Sequence, residues 1–166
     1  VQTCALPIWR ASVRPLGEEQ QAAEPDNANA WYIHAYALGR YSQGISVGKA
    51  LAEGLGGKIK ASLTRAIELE PKHADAHIAL GTWHAEIIDK VGATLGGLTY
   101  GAKKETAVEH FERAIKLNPD SAIARIEYAN GLVMMFGNAF TSYCTQRCRP
   151  STGLAVPTMS QFRRIW

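Results

Sequence analysis

The sequence is poor in cysteine and contains no long hydrophobic run. Only 3 of its 166 residues are Cys, too few for the disulfide framework of a small secreted domain. No stretch of about 18 consecutive apolar residues occurs, so no integral membrane segment is predicted. Hydrophobic residues make up 46% of the chain and charged residues 20%, a balance that argues against intrinsic disorder. The length therefore predicts one domain with a buried core.

The excess of positive charge is confined to the C-terminal end of the chain. The formal net charge is +3, but residues 137–166 contain four arginines and no acid, and residues 1–136 hold 14 basic and 15 acidic side chains. A nucleic-acid-binding domain needs basic residues on one structured face. We therefore expect no nucleic-acid partner, and we interpret residues 137–166 as an irregular basic tail of the kind a frameshift produces.

The N-terminal end is also unusual. Residues 1–8, VQTCALPI, resemble a sequencing-adapter oligonucleotide translated in frame. We expect residues 1–23 to be a non-native or disordered start and residues 24–136 to form the helical domain. Because the start is in doubt, a signal peptide cannot be judged, and cytoplasmic and periplasmic locations both stay open.

Motifs for enzymatic chemistry are absent or incomplete. The glycines at Gly44–Gly48 and near Gly57 do not have the spacing of a phosphate-binding loop. No nucleophile, base and acid can be assembled at a meaningful spacing. His73 and His77 lie four residues apart and could share one helix face, which leaves a metal-dependent enzyme as an alternative. We expect a protein that is not an enzyme and has no metal site or cofactor.

An internal repeat is the most informative feature of the sequence. Ala66–Pro71, AIELEP, recurs as Ala114–Pro119, AIKLNP. Each copy ends a segment with helical periodicity, and its proline cannot continue the helix. Pro25 precedes a helical pattern in the same way. New helices are predicted after the three prolines, over Trp31–Leu38, Ala76–Glu86 and Ala122–Leu132. The predicted N-caps are Asp26 or Asn27 for the first of these helices and Asp120 or Ser121 for the last.

Large and small residues alternate at positions where helices would pack closely. Leu80-Gly81 is one such pair, and Ala107, Phe111 and Ala114 recur at i, i+4 and i+7 of a later helix. On these residues the chain resembles a tetratricopeptide-repeat protein. The resemblance implies an all-α fold, a right-handed solenoid of antiparallel helix pairs. Its Gly-containing inter-helix inserts are enlarged, at Gly44–Gly57 and Gly92–Lys103.

A narrower resemblance follows from Leu80-Gly81-Thr82-Trp83, from Glu86-Ile87 and from Thr106–Phe111. These segments are similar to the regulator of microtubule dynamics family and its bacterial relatives, over about residues 28–136. Eukaryotic members of that family are described as microtubule-associated. The shared residues are mainly packing residues, so the resemblance implies the fold more than it implies a partner.

Stacked helix pairs form a concave surface lined by the first helix of each pair. The expected inward positions are Asn29, Tyr32, Tyr36, Arg40, Asp75, Ile78, Thr82, Glu86, Ile126 and Asn130. Tyr and Arg are common interface anchors, so Tyr32, Tyr36 and Arg40 are the preferred contacts, although the aromatics could instead pack against the neighbouring insert. Asp75 and Glu86 would repel a peptide carboxylate, which excludes a carboxylate clamp.

The function expected from the sequence is therefore a non-catalytic scaffold that binds a peptide or protein partner on this concave face. A bacterial envelope-associated accessory protein for transport or assembly is an alternative that would use the same surface. The metal-dependent enzyme centred on His73 and His77 is the other alternative.

Overall fold

The computed structural model describes residues 18–137, which form eight helices and no strand. The first helix, α1, is helical over residues 18–23. The others are α2 (Ala28–Ser42), α3 (Val47–Ala52), α4 (Leu55–Leu69), α5 (Ala74–Val91), α6 (Ala93–Tyr100), α7 (Lys104–Leu117) and α8 (Ala122–Phe136). The predicted all-α class is confirmed. The three helices predicted after the prolines exist, but each extends beyond its predicted limits.

The same turn precedes α2, α5 and α8. Each of these helices begins with an alanine three residues after a proline, and the residue directly before that alanine caps the helix. The capping side chain accepts a hydrogen bond from a backbone N–H of the first turn, which satisfies a donor that has no partner within the helix. The three caps are Asn27, His73 and Ser121. The sequence predicted Asn27 and Ser121 among its candidates but not the histidine.

A second contact recurs at each of these turns. The side chain six residues after each proline donates a hydrogen bond to that proline's carbonyl oxygen. Trp31 Nε1 donates to Pro25 at 2.7 Å, and His77 Nε2 lies 3.2 Å from the Pro71 oxygen. Arg125 binds the oxygen of Pro119 in the same way. Three chemically different side chains thus anchor equivalent turns to the helices that follow them.

Neighbouring helices pack in antiparallel pairs. His77 of α5 contacts His110 of α7, whereas His84, two turns further along α5, accepts a hydrogen bond from Lys103 at the start of α7. Residue numbers rise along α5 as they fall along α7, so the two helices are antiparallel. The contacts of α2 with α4 are as extensive as those of α5 with α7.

The helices that follow the prolines lie side by side in parallel. Asn29 near the start of α2 bonds to His73 at the start of α5, and Gln43 after α2 bonds to Glu86 in the last third of α5. The helix α8 contacts the opposite edge of α5, where the Thr82 hydroxyl lies 3.4 Å from a carboxylate oxygen of Glu127. Three parallel helices therefore form one continuous surface.

Phe111 of α7 lies at the centre of the core and is fully buried. A Cβ atom built on Gly81 of α5 would lie 3.0 Å from its ring, and one built on Gly131 of α8 would lie 2.7 Å from it. Its ring stacks on Tyr128 with centroids 5.3 Å apart. The two glycines let α5 and α8 approach the ring more closely than any other residue would allow.

The two glycine-bearing segments between the paired helices contain the short helices α3 and α6. Glycine is required here for close packing, because a Cβ on Gly96 would lie 2.9 Å from Ile87 and a Cβ on Gly56 would lie 3.0 Å from Tyr100. The Trp83 indole donates to the Gly56 carbonyl at 3.0 Å. Both segments therefore pack around one side of α5.

Two sequence-based expectations concern the ends of the chain, and a third concerns membrane-spanning segments. The helix at 18–23 falls within the segment expected to be a non-native or disordered start, so part of that segment is helical. Residues 1–8 and the basic tail lie outside the described residues, except for Gly137. Within residues 18–137, no helix has the length and hydropathy needed to cross a bilayer.

The packing around Phe111 predicts opposite effects of one substitution at two mid-helix glycines. Gly131→Ala should lower the free energy of unfolding by about 1–2 kcal/mol, because the clash with Phe111 outweighs the gain in helix propensity. Gly39→Ala, where no atom lies within 4 Å of the new Cβ, should raise it by about 0.5–1 kcal/mol. Urea unfolding of both variants measures the difference. Equal changes at the two sites would contradict this account of the core.

Candidate binding groove

A groove of about 510 Å³ runs along the surface formed by α2, α5 and α8. This volume lies within the range of about 300–1,000 Å³ that is usual for ligand sites. Its floor is apolar and includes Ala35 of α2, Leu63 of α4 and Ile78 of α5. The helices that supply the walls are those fixed in parallel by the three proline turns. The groove is therefore a direct consequence of the repeat.

Aromatic side chains line the end of the groove near the proline turns. The Tyr32 and Tyr36 ring centroids lie 6.4 Å apart, and Tyr32 lies 5.2 Å from the His73 ring. Tyr36 is 55% exposed, so much of its surface is available for contact. Burial, and next the nearby Asp75 carboxylate, raise the pKa of the Tyr32 hydroxyl. Tyr32 is therefore a neutral hydrogen-bonding group at physiological pH.

Charged side chains are unevenly distributed along the groove. At one end Arg40 bonds to Gln43, and Glu86 bonds to Gln43 and pairs with Lys90 at 3.5 Å. Lys90 thus balances the charge of Glu86, and Arg40 leaves this end of the groove with one positive charge.

The acids in the other part of the groove are not neutralised. Asp75 has no cation within ion-pair distance in the part of the chain that the structure describes. In the same part of the chain, the hydrogen bond of the Glu127 carboxylate is with the Thr82 hydroxyl, and no cation pairs with it. Both carboxylates line the groove. This part of its surface is therefore negative.

Most of the sequence-predicted contact residues line the groove. They are Tyr32, Tyr36, Arg40, Asp75, Ile78, Thr82 and Glu86. Asn29 does not; its amide oxygen lies 3.0 Å from His73 Nε2 and joins α2 to α5. Ile126 and Asn130 of α8 do not line it either, and both are exposed.

The structure adds Ile123 and Glu127 to the groove in their place. A signal for these two residues was present in the sequence. Ile123 lies four residues after Pro119, as Asp75 does after Pro71, and Glu127 and Ala79 both lie eight residues after their prolines. The helix α8 thus lines the groove at four and eight residues after its proline, rather than at the positions of Ile126 and Asn130.

A cluster of histidines lies on the side of α5 that faces α7. Burial lowers the pKa of His77, so its ring is neutral. With His77 Nε2–H donating to the Pro71 carbonyl, its Nδ1 accepts the 2.9 Å hydrogen bond from His110 Nδ1–H. His84 Nδ1 accepts from the Lys103 backbone N–H, so this ring is neutral as well, and it stacks on His110 with centroids 6.3 Å apart.

Burial keeps the cluster neutral. It lowers the pKa of His84 to about 4, with smaller contributions from His110 and Lys60. It also lowers the pKa of His110 to about 4, with smaller contributions from His77 and Arg113. The pKa of His77 is lowered as well, chiefly by burial. The sequence offered no sign of this cluster, because its members come from two helices.

The histidines proposed as metal ligands are occupied by other contacts. His73 uses one ring nitrogen to cap α5 and the other to bond Asn29. Both ring nitrogens of His77 are engaged with Pro71 and His110. Within residues 18–137, no group of three or more metal-ligating side chains is placed to hold an ion.

Comparison with protein families matches residues 14–129 to regulator of microtubule dynamics protein 1-3. The match covers more than half of the chain. The protein belongs to this family. No curated protein and no solved structure matches the chain.

The regulator of microtubule dynamics match includes every residue that lines the groove. It also begins before α1, within the segment that the sequence suggested to be a non-native or disordered start. The groove is therefore part of the family domain.

The histidine cluster predicts that this family domain loses stability as the pH falls from about 6.5 to about 4. In this range the unfolded chain binds protons on its histidines, but His84 and His110 in the folded protein do not. The free energy of unfolding therefore rises with pH across this window. Urea unfolding at pH 7 and pH 5 measures the change.

His110→Asn is the variant that isolates this effect. Its amide can still donate to His77 but cannot titrate. Between pH 7 and pH 5 the parent protein should lose free energy of unfolding, and we expect the variant to lose about 1 kcal/mol less. This value allows for partial screening of the ring by water. The same pH dependence in the variant and the parent protein would argue against the role of His110.

Proposed function

We propose that this member of the regulator of microtubule dynamics family is a non-catalytic scaffold that binds a peptide or protein segment in the groove between α2, α5 and α8. The helix pairs form a tetratricopeptide-like, right-handed solenoid, and the groove is its concave face. The enlarged segments that contain α3 and α6 lie on the other side of α5 and support the stack.

The observation that carries this proposal is the convergence of exposed and half-buried side chains from the three helices that follow the prolines. Tyr36, Thr82 and Ile123 come from α2, α5 and α8, yet they line one groove. Aromatic and aliphatic side chains on rigid helices are well suited to bind an extended or helical segment. The mixed apolar floor and polar walls also fit a peptide better than a small metabolite.

The apolar surface of the two short helices α3 and α6 is a weaker candidate for a binding site than the groove. Val47, Leu51, Leu95 and Leu98 are exposed there. The cavity beside α3 is smaller, at about 140 Å³, and is lined mainly by aliphatic side chains. Its two charged residues, Glu86 and Lys90, pair with each other, whereas Asp75 and Glu127 of the groove have no such cation.

Selection from a phage-displayed library of random dodecapeptides tests the proposal on the full chain. We expect peptides whose binding, measured by fluorescence anisotropy, weakens at least tenfold in Tyr36→Ala, since loss of an exposed aromatic anchor commonly costs this much. Leu98→Ala is the matched control, because it removes an exposed side chain far from the groove lining. Failure to select any peptide, or equal weakening in both variants, would contradict the proposal.

A further inference from the structure

The two acids in the α5–α8 part of the groove point to the chemical class of the partner. Asp75 is exposed and Glu127 is half-buried, and both face the groove. They are separated from the group of Arg40, Glu86 and Lys90 at the other end, which carries one net positive charge. A bound segment would therefore meet negative charge over the middle and the proline-turn end of the groove.

The aromatic row lies beside one of these carboxylates, that of Asp75. Tyr32 lies between Tyr36 and His73, and Asp75 is close enough to affect the ionisation of Tyr32. The long side chain of Lys or Arg can lay its methylene groups on an aromatic ring and place its charge beside a carboxylate. No other side-chain type satisfies both features at once.

We infer that the segment bound in the groove is basic, with Lys or Arg side chains placed beside Asp75 and Glu127 and the stem of the one beside Asp75 on the row of Tyr32 and Tyr36. This inference rests on the proposed function of the groove. An acidic segment would have to place its charges beside two unneutralised carboxylates, which electrostatics opposes. The apolar floor accepts aliphatic side chains that flank the basic ones.

The dodecapeptides selected on the full chain test this inference by their composition. We expect enrichment of Lys and Arg over Asp and Glu relative to the unselected library. We also expect a selected peptide to bind about three- to fivefold more weakly to Asp75→Asn and to Glu127→Gln, the range typical of single solvent-exposed charges. Raising the salt concentration should weaken binding further.

Two variants serve as controls for these charge effects. Asp89→Asn removes an exposed acid of α5 that does not line the groove, and it should leave binding unchanged. Arg40→Ala removes a cation that lines the groove, and it should strengthen binding of a basic peptide.

The possible outcomes separate this inference from the proposed function. Neutral or acidic peptides that depend on Tyr36 would overturn the basic partner and leave the groove as a docking site. Basic peptides that bind Asp75→Asn and Glu127→Gln as tightly as the parent protein would also overturn it. A library that yields no binder would overturn both proposals.

Discussion

The insertion of the Phe111 ring between Gly81 and Gly131 is the constraint on which the rest of the structure depends. The ring belongs to α7, and the two glycines belong to α5 and α8. Because neither glycine has a side chain, all three helices meet at one buried point. Tyr128 stacks on the ring from α8 and completes the contact. The distance between α5 and α8, and hence the width of the surface they share, follows from this packing.

The helix α5 links this core to the groove because one of its sides packs against α7 and the other lines the groove. One side carries Gly81, His77 and His84 and is buried against α7. The other side carries Asp75 and Thr82 and lines the groove. The neutral histidines fill space between helices that a charged group would disrupt. Packing on one side thus positions the groove-lining residues on the other.

The fold could be predicted from the sequence to the extent that it depends on local signals. The three prolines that precede helices, and the alternation of large and small residues at Leu80-Gly81 and over Ala107–Ala114, reflect constraints within a few residues of chain. The short helices α3 and α6 were not predicted, because their glycines suggested irregular connections. Gly96 of α6 serves close packing against Ile87 of α5 instead, and Gly56 at the start of α4 packs against Tyr100 of α6.

The candidate site was predictable only in part for the same reason. Helical periodicity predicted seven groove-lining residues of α2 and α5, but not the position of Asn29, whose side chain bonds His73 instead. It misplaced α8, where Ile123 and Glu127 line the groove rather than Ile126 and Asn130, because the rotation of a helix is set by its neighbours. A double-mutant cycle between Phe111→Leu and Gly131→Ala, read by urea unfolding, tests the central contact most directly. The account predicts that the smaller side chain relieves the clash, with a coupling of about 1–2 kcal/mol; strictly additive effects would contradict it.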